Sequence, residues 1–164
     1  MSFGKSAIAA LLALGTLGSA WAAGPITVHE PWVRASVPGQ GNGAGYLQID
    51  NGGAQADTLL SVSSDAAERV ELHNVITENG VASMRQVDGV PVPANGSAQL
   101  SPGGYHVMFL KLKAPFKQGD EVAATLRFEQ AGEVPVRFTV QPPTHNPAGA
   151  HGGGHGGGHG QHKH

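Results

Sequence analysis

Apolar and polar residues alternate with a period of two along the middle of the chain, which is the pattern of strands with one buried face. Residues 46–50 show it clearly and end at Asn51-Gly52-Gly53, a turn sequence. The strands predicted in this way span residues 46–50, 58–62, 70–76, 81–87, 105–113, 122–130 and 134–140. No helical period is found beyond a single turn near residues 66–68. The pattern predicts an all-β fold, an antiparallel sandwich or barrel of short strands.

The N-terminal end of the chain differs from this middle part. Lys5 is followed by an apolar run over residues 7–17 and by Ala20-Trp21-Ala22, which is the layout of a secretory signal peptide. The run is shorter than the roughly 20 apolar residues that span a bilayer, and a short N-terminal membrane anchor is the alternative. We predict a signal peptide over residues 1–22 and a periplasmic location for the mature protein.

The C-terminal end also changes composition, after Gln141-Pro142-Pro143. Residues 142–164 contain no large apolar side chain and are dominated by repeats of histidine and three glycines. Such a segment cannot bury enough surface to offset the entropy of ordering it. We predict a disordered His/Gly-rich tail over residues 142–164 and one folded domain over residues 23–141.

The composition excludes several classes of function. The net charge of −2 provides no positive surface for nucleic acid or for an anionic membrane. The absence of cysteine excludes disulfide scaffolds, thiolate zinc sites, iron–sulfur clusters and the blue-copper electron-transfer site. A segment over residues 39–44 fits G-x-G-x-x-A, but a strand rather than a helix follows it, which argues against a dinucleotide site.

Once the signal peptide is removed, the domain retains two methionines, Met84 and Met108, and each is near a histidine. His106 and Met108 are two positions apart in one predicted strand, so their side chains leave the same face about 6.5–7 Å apart. His73 lies on the strand before Met84, and a hairpin turn at Asn79-Gly80 would bring these two side chains near each other. The four side chains are therefore a candidate metal site.

Two imidazoles and two thioethers without a thiolate form a soft and neutral donor set, which suits Cu(I) better than Zn²⁺, Mg²⁺ or Ca²⁺. The alternative is that both methionines pack in the β core, as methionine commonly does, and that the histidines are ordinary surface residues. The spacing alone leaves both interpretations open.

The order of His73, ten residues, Met84, twenty-one residues and His106-Val107-Met108 resembles the H-x10-M-x21-H-x-M motif of the periplasmic CuA chaperone family, PCuAC. The flanking sequences are also similar to the family's: Pro31-Trp32-Val33-Arg34-Ala35, Gly45-Tyr46-Leu47 and Pro102-Gly103-Gly104-Tyr105. The resemblance implies a cupredoxin-like Greek-key sandwich that binds Cu(I) through these four side chains. It also implies copper delivery to the CuA subunit of cytochrome c oxidase, alongside a Sco-type protein. Asn74 stands where some members carry methionine, so a further exchangeable thioether is missing here.

The histidines of the tail form a second candidate site, because a glycine-rich backbone lets several imidazoles surround one ion. They are His145, His151, His155, His159, His162 and His164. Imidazole without thioether suits Cu(II), and also Zn²⁺ and Ni²⁺. The alternatives are a purification tag and a solvated low-complexity end, but a tag is usually a contiguous run of histidines, whereas these are interleaved with glycine. We hypothesise that the tail captures Cu(II) and supplies the His/Met site once the copper is reduced.

Two functions agree with these donor sets: a copper chaperone that passes Cu(I) to a recipient, and a copper buffer for resistance that has no dedicated recipient. Transfer to an oxidase CuA domain would separate them. We expect no enzymatic activity. Blue-copper electron transfer needs cysteine, and a copper monooxygenase of the histidine-brace type needs an N-terminal histidine, whereas the mature chain is predicted to begin near Ala23.

Overall fold

The computed structural model describes residues 25–147, which contain ten β-strands and no α-helix. The strands are β1 (Ile26–Arg34), β2 (Asn42–Asn51), β3 (Asp57–Ser63), β4 (Ala67–Glu78), β5 (Val81–Gln86), β6 (Val90–Val92), β7 (Gly96–Leu100), β8 (His106–Leu112), β9 (Glu121–Phe128) and β10 (Gly132–Gln141). The predicted all-β fold is confirmed. No helix in residues 25–147 has the length and apolar character that crossing a bilayer requires.

The strands form one hydrogen-bonded path in the order β5-β4-β8-β2-β1-β10-β9-β3-β6, and β7 pairs with the second half of β2. Strands that are distant in sequence are neighbours, as β8 is between β4 and β2, which is typical of Greek-key connections. The first and last strands, β1 and β10, pair in parallel. This pair departs from the antiparallel arrangement that we predicted, and it needs no tight turn because β1 and β10 are not consecutive in the chain.

The hydrophobic core collects the inward-facing residues of strands from both ends of this path. Leu72 on β4 and Leu59 on β3 belong to the same buried cluster, as do Phe109 on β8 and Phe138 on β10. Gly45 on β2 lies where a Cβ atom would come within 3.1 Å of both phenylalanine rings, so a side chain here would displace them. The core therefore fixes β2 and β8 against each other, and these two strands carry part of the candidate site on their other face.

Three strands, β1, β6 and β7, were not predicted from the sequence, each for a physical reason. In β1, Glu30 has a φ of 47° and the register with β2 shifts between His29 and Trp32, so a bulge interrupts the alternation. Strands β6 and β7 are only 3 and 5 residues long, too short for a clear period. The expected helical turn near residues 66–68 is wrong, because Ala67 begins β4 and pairs with Leu112 of β8.

The predicted domain boundary at residue 141 coincides with the end of β10. The structure continues to residue 147, and His145 contacts β1. The predicted signal peptide over residues 1–22 and most of the predicted tail lie outside the described residues.

Candidate metal centre

The predicted copper donors lie on one face of the sheet, opposite the hydrophobic core. His73 on β4 is directly paired with His106 on β8, so both side chains leave the same face, and their ring centroids are 5.7 Å apart. Met108 follows His106 by two positions and therefore shares this face. Their neighbours Leu72, Val107 and Phe109 point the other way, into the core. The alternation of β4 and β8 thus places three predicted donors together.

Each histidine has one ring nitrogen in a hydrogen bond and one without a partner. Nε2 of His73 donates to the carboxylate of Glu71 at 2.8 Å, and Nδ1 of His106 donates to the carbonyl of Gly104 at 2.9 Å. The other two atoms, Nδ1 of His73 and Nε2 of His106, are buried and have no hydrogen-bond partner within residues 25–147. Buried polar atoms are rarely left in this state, because the lost hydration is not replaced. Two such nitrogens on adjacent rings fit the ligands of a metal ion.

The surroundings favour the neutral, ligating form of one histidine. Burial lowers the pKa of His106, the hydrogen bond to Gly104 raises it, and the nearby charge of His73 lowers it again. Metal ions bind the unprotonated ring nitrogen, so a lowered pKa reduces the competition from protons. The hydrogen bond from His73 holds the pKa of Glu71 below its usual value, and Arg69 contributes in the same direction. Glu71 is therefore a carboxylate that can orient His73.

A cavity of about 300 Å³ lies beside these rings and contains both methionines. Met84, His106 and Met108 line it, together with Arg34, Tyr46 and Val75. His73 is not part of its lining and reaches this region through its contact with His106. The structure therefore brings three of the four predicted donors into one cavity and places the fourth next to it.

Met84 lies on a hairpin that extends from the edge of the sheet. Within residues 25–147, strand β5 pairs only with β4. Met84 on β5 lies opposite Val75 rather than His73, and 53% of its surface is exposed. The turn that joins the two strands has positive φ at Asn79 (51°) and Gly80 (77°), as a two-residue type I′ turn requires. The predicted hairpin is confirmed, with Met84 diagonal to His73. Asn74, the neighbour of His73, pairs with Arg85 on this hairpin.

Aromatic side chains form a wall on the other side of His106. The ring of Tyr46 lies 6.4 Å from His106 and 4.6 Å from Trp32, and both aromatic residues are buried. His145 contacts the ring of Trp32 edge-on at 4.7 Å, and its carbonyl accepts a hydrogen bond of 3.3 Å from Arg34. One predicted donor of the tail site is thus placed against the domain. The other five tail histidines lie outside the described residues.

Sequence reasoning did not assign roles to the residues that surround the donors. Glu71 could have been recognised as a partner of His73, because residues two apart on a strand share a face. The Gly104 carbonyl, Arg34 and Tyr46 gave no such signal, since they come from separate loops and strands. Within residues 25–147, no group of three or more His, Asp or Glu side chains is placed to share a metal ion.

Comparisons with known proteins show which family this chain resembles. The family model "Putative lipoprotein LpqE-like" matches residues 26–140. The "Putative lipoprotein Lxx21020" of Leifsonia xyli subsp. xyli (strain CTCB07) is 33% identical over 117 residues, which are 71% of this chain and 69% of that protein.

Two solved structures are similar over most of the described residues. The copper-bound PCuAC domain from PmoF2 has a TM-score of 0.63 and 28% identity, over 73% of this chain and 95% of that chain. The solution structure of CuI-DR1885 from Deinococcus radiodurans has a TM-score of 0.60 and 31% identity, over 71% of this chain and 78% of that chain.

Proposed function

The chain belongs to the LpqE-like family and has the fold of PCuAC domains, and from this we propose that it is a copper chaperone of the bacterial periplasm. It binds Cu(I) through His73, Met84, His106 and Met108 and delivers the ion to the CuA subunit of cytochrome c oxidase. The observation that carries the ligand assignment is the pair of buried, unpartnered nitrogens on the adjacent rings of His73 and His106, together with the cavity that His106 lines with Met84 and Met108. The related PmoF2 domain and DR1885 have solved structures that contain copper.

The position of Met84 supports a carrier rather than a permanent store. Its side chain is 53% exposed on an edge strand, whereas His106 is 3% exposed beneath the surface. A weak thioether at the surface can leave while a ligand of the recipient enters, so copper passes on by stepwise exchange. The recipient or a Sco-type protein would approach from this side. The protein acts by binding and release and is not an enzyme.

The first experiment is X-ray absorption at the copper edge of the Cu(I)-loaded mature protein. Because the chain has no cysteine, sulfur scattering can come only from methionine. We expect mixed nitrogen and sulfur scattering in the wild type and loss of the sulfur component in the Met84→Leu, Met108→Leu double variant. Val81→Ala, another exposed apolar residue of β5, is the matched control and should keep it. A shell of nitrogen alone in the wild type would contradict the assignment.

A second experiment separates the chaperone from a copper buffer without a recipient. The Cu(I)-loaded protein is mixed with the metal-free CuA domain of an oxidase, and copper is quantified on each after separation. We expect copper to move to the CuA domain faster than from a small Cu(I) chelate that holds the free ion at the same concentration. Equal rates from both donors would favour the buffer.

The histidine tail adds a capture step to this proposal. Its imidazoles bind Cu(II), and copper enters the His/Met site after one-electron reduction by an external reductant. His145, the first histidine of the tail, lies against Trp32, on the same face of the sheet as the Cu(I) donors.

A further inference from the structure

Arg34 lines the same cavity as three of the four proposed copper donors, Met84, His106 and Met108. It follows Trp32 by two positions on β1, so it shares the outer face of the sheet. Ala44 on β2 separates Arg34 on β1 from Met108 on β8. Ala44 pairs with Met108 on one side, and on the other side its neighbour Gly45 pairs with Val33, the neighbour of Arg34. Arg34 and Met108 therefore line the same cavity from opposite sides.

The guanidinium group of Arg34 is only partly satisfied by the protein. One Nη atom donates to the carbonyl of His145 at 3.3 Å, and the group lies 5.8 Å from the ring centroid of Trp32. Its Nε is buried without a hydrogen-bond partner, and none of the ion pairs within residues 25–147 includes Arg34. A partly buried cation without a carboxylate is costly.

Copper binding makes this imbalance larger. The proposed ligands are all neutral, and the carboxylate of Glu71, which contacts His73, is already paired with Arg69. Bound Cu(I) therefore adds a positive charge beside the cavity that the guanidinium lines. Two like charges in a partly buried cavity repel each other. An anion that enters the cavity would pair with both, and Arg is the side chain best suited to bind carboxylate-like groups through several N–H donors.

We infer that Arg34 is the binding site for an anionic group, a carboxylate or a thiolate, of the molecule that exchanges copper with this protein. The inference rests on the proposed function. In the exchange, a bond from Cu(I) to a thioether breaks and a bond to the incoming donor forms. Copper keeps its charge and no electron or proton is transferred. Arg34 is then a positioning residue that selects anionic exchange partners over neutral ones.

The test compares two Cu(I) chelators of different charge, the dianionic dicarboxylate bicinchoninate and the neutral neocuproine. Stopped-flow absorbance gives the rate at which each removes Cu(I) from the loaded full-length protein. The ratio of the two rates is compared between proteins, so intrinsic differences between the chelators cancel. We expect Arg34→Gln to lower the ratio of the bicinchoninate rate to the neocuproine rate about fivefold, because a local charge steers association. In Arg34→Lys, which keeps the charge, the ratio of the two rates should stay close to that of the wild type.

Arg137→Gln is the matched control, because it removes the same charge from an exposed position on β10. It should leave the ratio of rates unchanged. An unchanged ratio in Arg34→Gln, or an equal fall in both variants, would overturn the inference. In the wild type alone, added salt should slow bicinchoninate more than neocuproine, and equal slowing would also overturn it. If the wild type binds no Cu(I) at all, the proposed function itself fails, which is a separate outcome.

Discussion

The two histidines of the candidate centre are oriented by different acceptors. His73 donates to a carboxylate on its own strand, Glu71, whereas His106 donates to a backbone carbonyl, that of Gly104. A carboxylate acceptor fixes the ring and makes its other nitrogen a stronger donor to metal. Of the two acceptors, only Glu71 can be removed by a side-chain substitution.

We predict that Glu71→Ala weakens Cu(I) binding about tenfold. Loss of an outer-shell hydrogen-bond partner of a metal-binding histidine lowers metal affinity by roughly 10–100-fold in metal sites generally. The measurement is a competition titration against bicinchoninate. Glu78→Ala is the control, since Glu78 lies on the same strand but is exposed and pairs with Arg85 on the hairpin. Equal Cu(I) affinity of Glu71→Ala and wild type would mean that Glu71 is only a polar residue on the outer face of the sheet and does not support His73.

Among the strands, β5 is distinct because it contributes no residue to the core. In the described part of the chain it pairs only with β4, and none of its residues is buried. The β9–β10 hairpin is the opposite case, because Phe128 and Phe138 anchor it in the core. Both hairpins depend on a glycine with positive φ, Gly80 at 77° and Gly132 at 76°, and at both positions an added Cβ would meet no atom within 4 Å. Substitution of either glycine therefore imposes the same backbone strain in two different contexts.

We predict that Gly80→Ala and Gly132→Ala separate copper affinity from stability. A positive φ costs a residue with a Cβ about 1 kcal/mol. In Gly132→Ala this cost falls on core strands, and the melting temperature of the metal-free protein should drop by about 4 °C. In Gly80→Ala the cost falls on the β4–β5 hairpin, which holds Met84 in position. Cu(I) affinity should therefore fall about threefold, while the melting temperature changes less than in Gly132→Ala. Circular dichroism and competition titration measure the two quantities. The reverse pattern, with the larger loss of stability in Gly80→Ala, would contradict the role of this hairpin.

The two faces of the sheet carry different kinds of residues. The inner faces of β2, β4 and β8 form the core, and their outer faces carry the candidate copper centre and its aromatic wall. Residues 142–147 extend this outer face, because His145 lies on Trp32 and accepts from Arg34. The segment that leads to the remaining tail histidines thus starts next to Trp32.

A truncation that removes residues 148–164 should abolish tight Cu(II) binding and leave Cu(I) binding within about twofold of the wild type. It keeps His145 and its contacts, so the aromatic wall is undisturbed. Isothermal titration with Cu(II) and competition titration with Cu(I) test the two halves of the prediction. In the full-length protein, Cu(II) binding should weaken below about pH 6.5, because protons then compete for imidazole. Undiminished Cu(II) affinity in the truncated protein would place that site elsewhere.

The sequence alone determined the fold class and the candidate donors, because both depend on local pattern. A period of two predicts strands whatever their neighbours are, and the spacing of His106 and Met108 fixes their common face within one strand. The hairpin that carries Met84 was predictable for the same reason, since Asn-Gly specifies its turn.

Which strands are neighbours, and therefore what surrounds the candidate donors, depends on tertiary packing and is not visible in the sequence. The pairing of β4 with β8 places His73 opposite His106, and the pairing of β1, β2 and β8 places Arg34, Tyr46 and Met108 around one cavity. These residues are far apart in sequence, and strand order follows from the packing of the whole core rather than from any local preference. The unpartnered nitrogens and the guanidinium that lines the cavity beside the candidate donors arise from that packing.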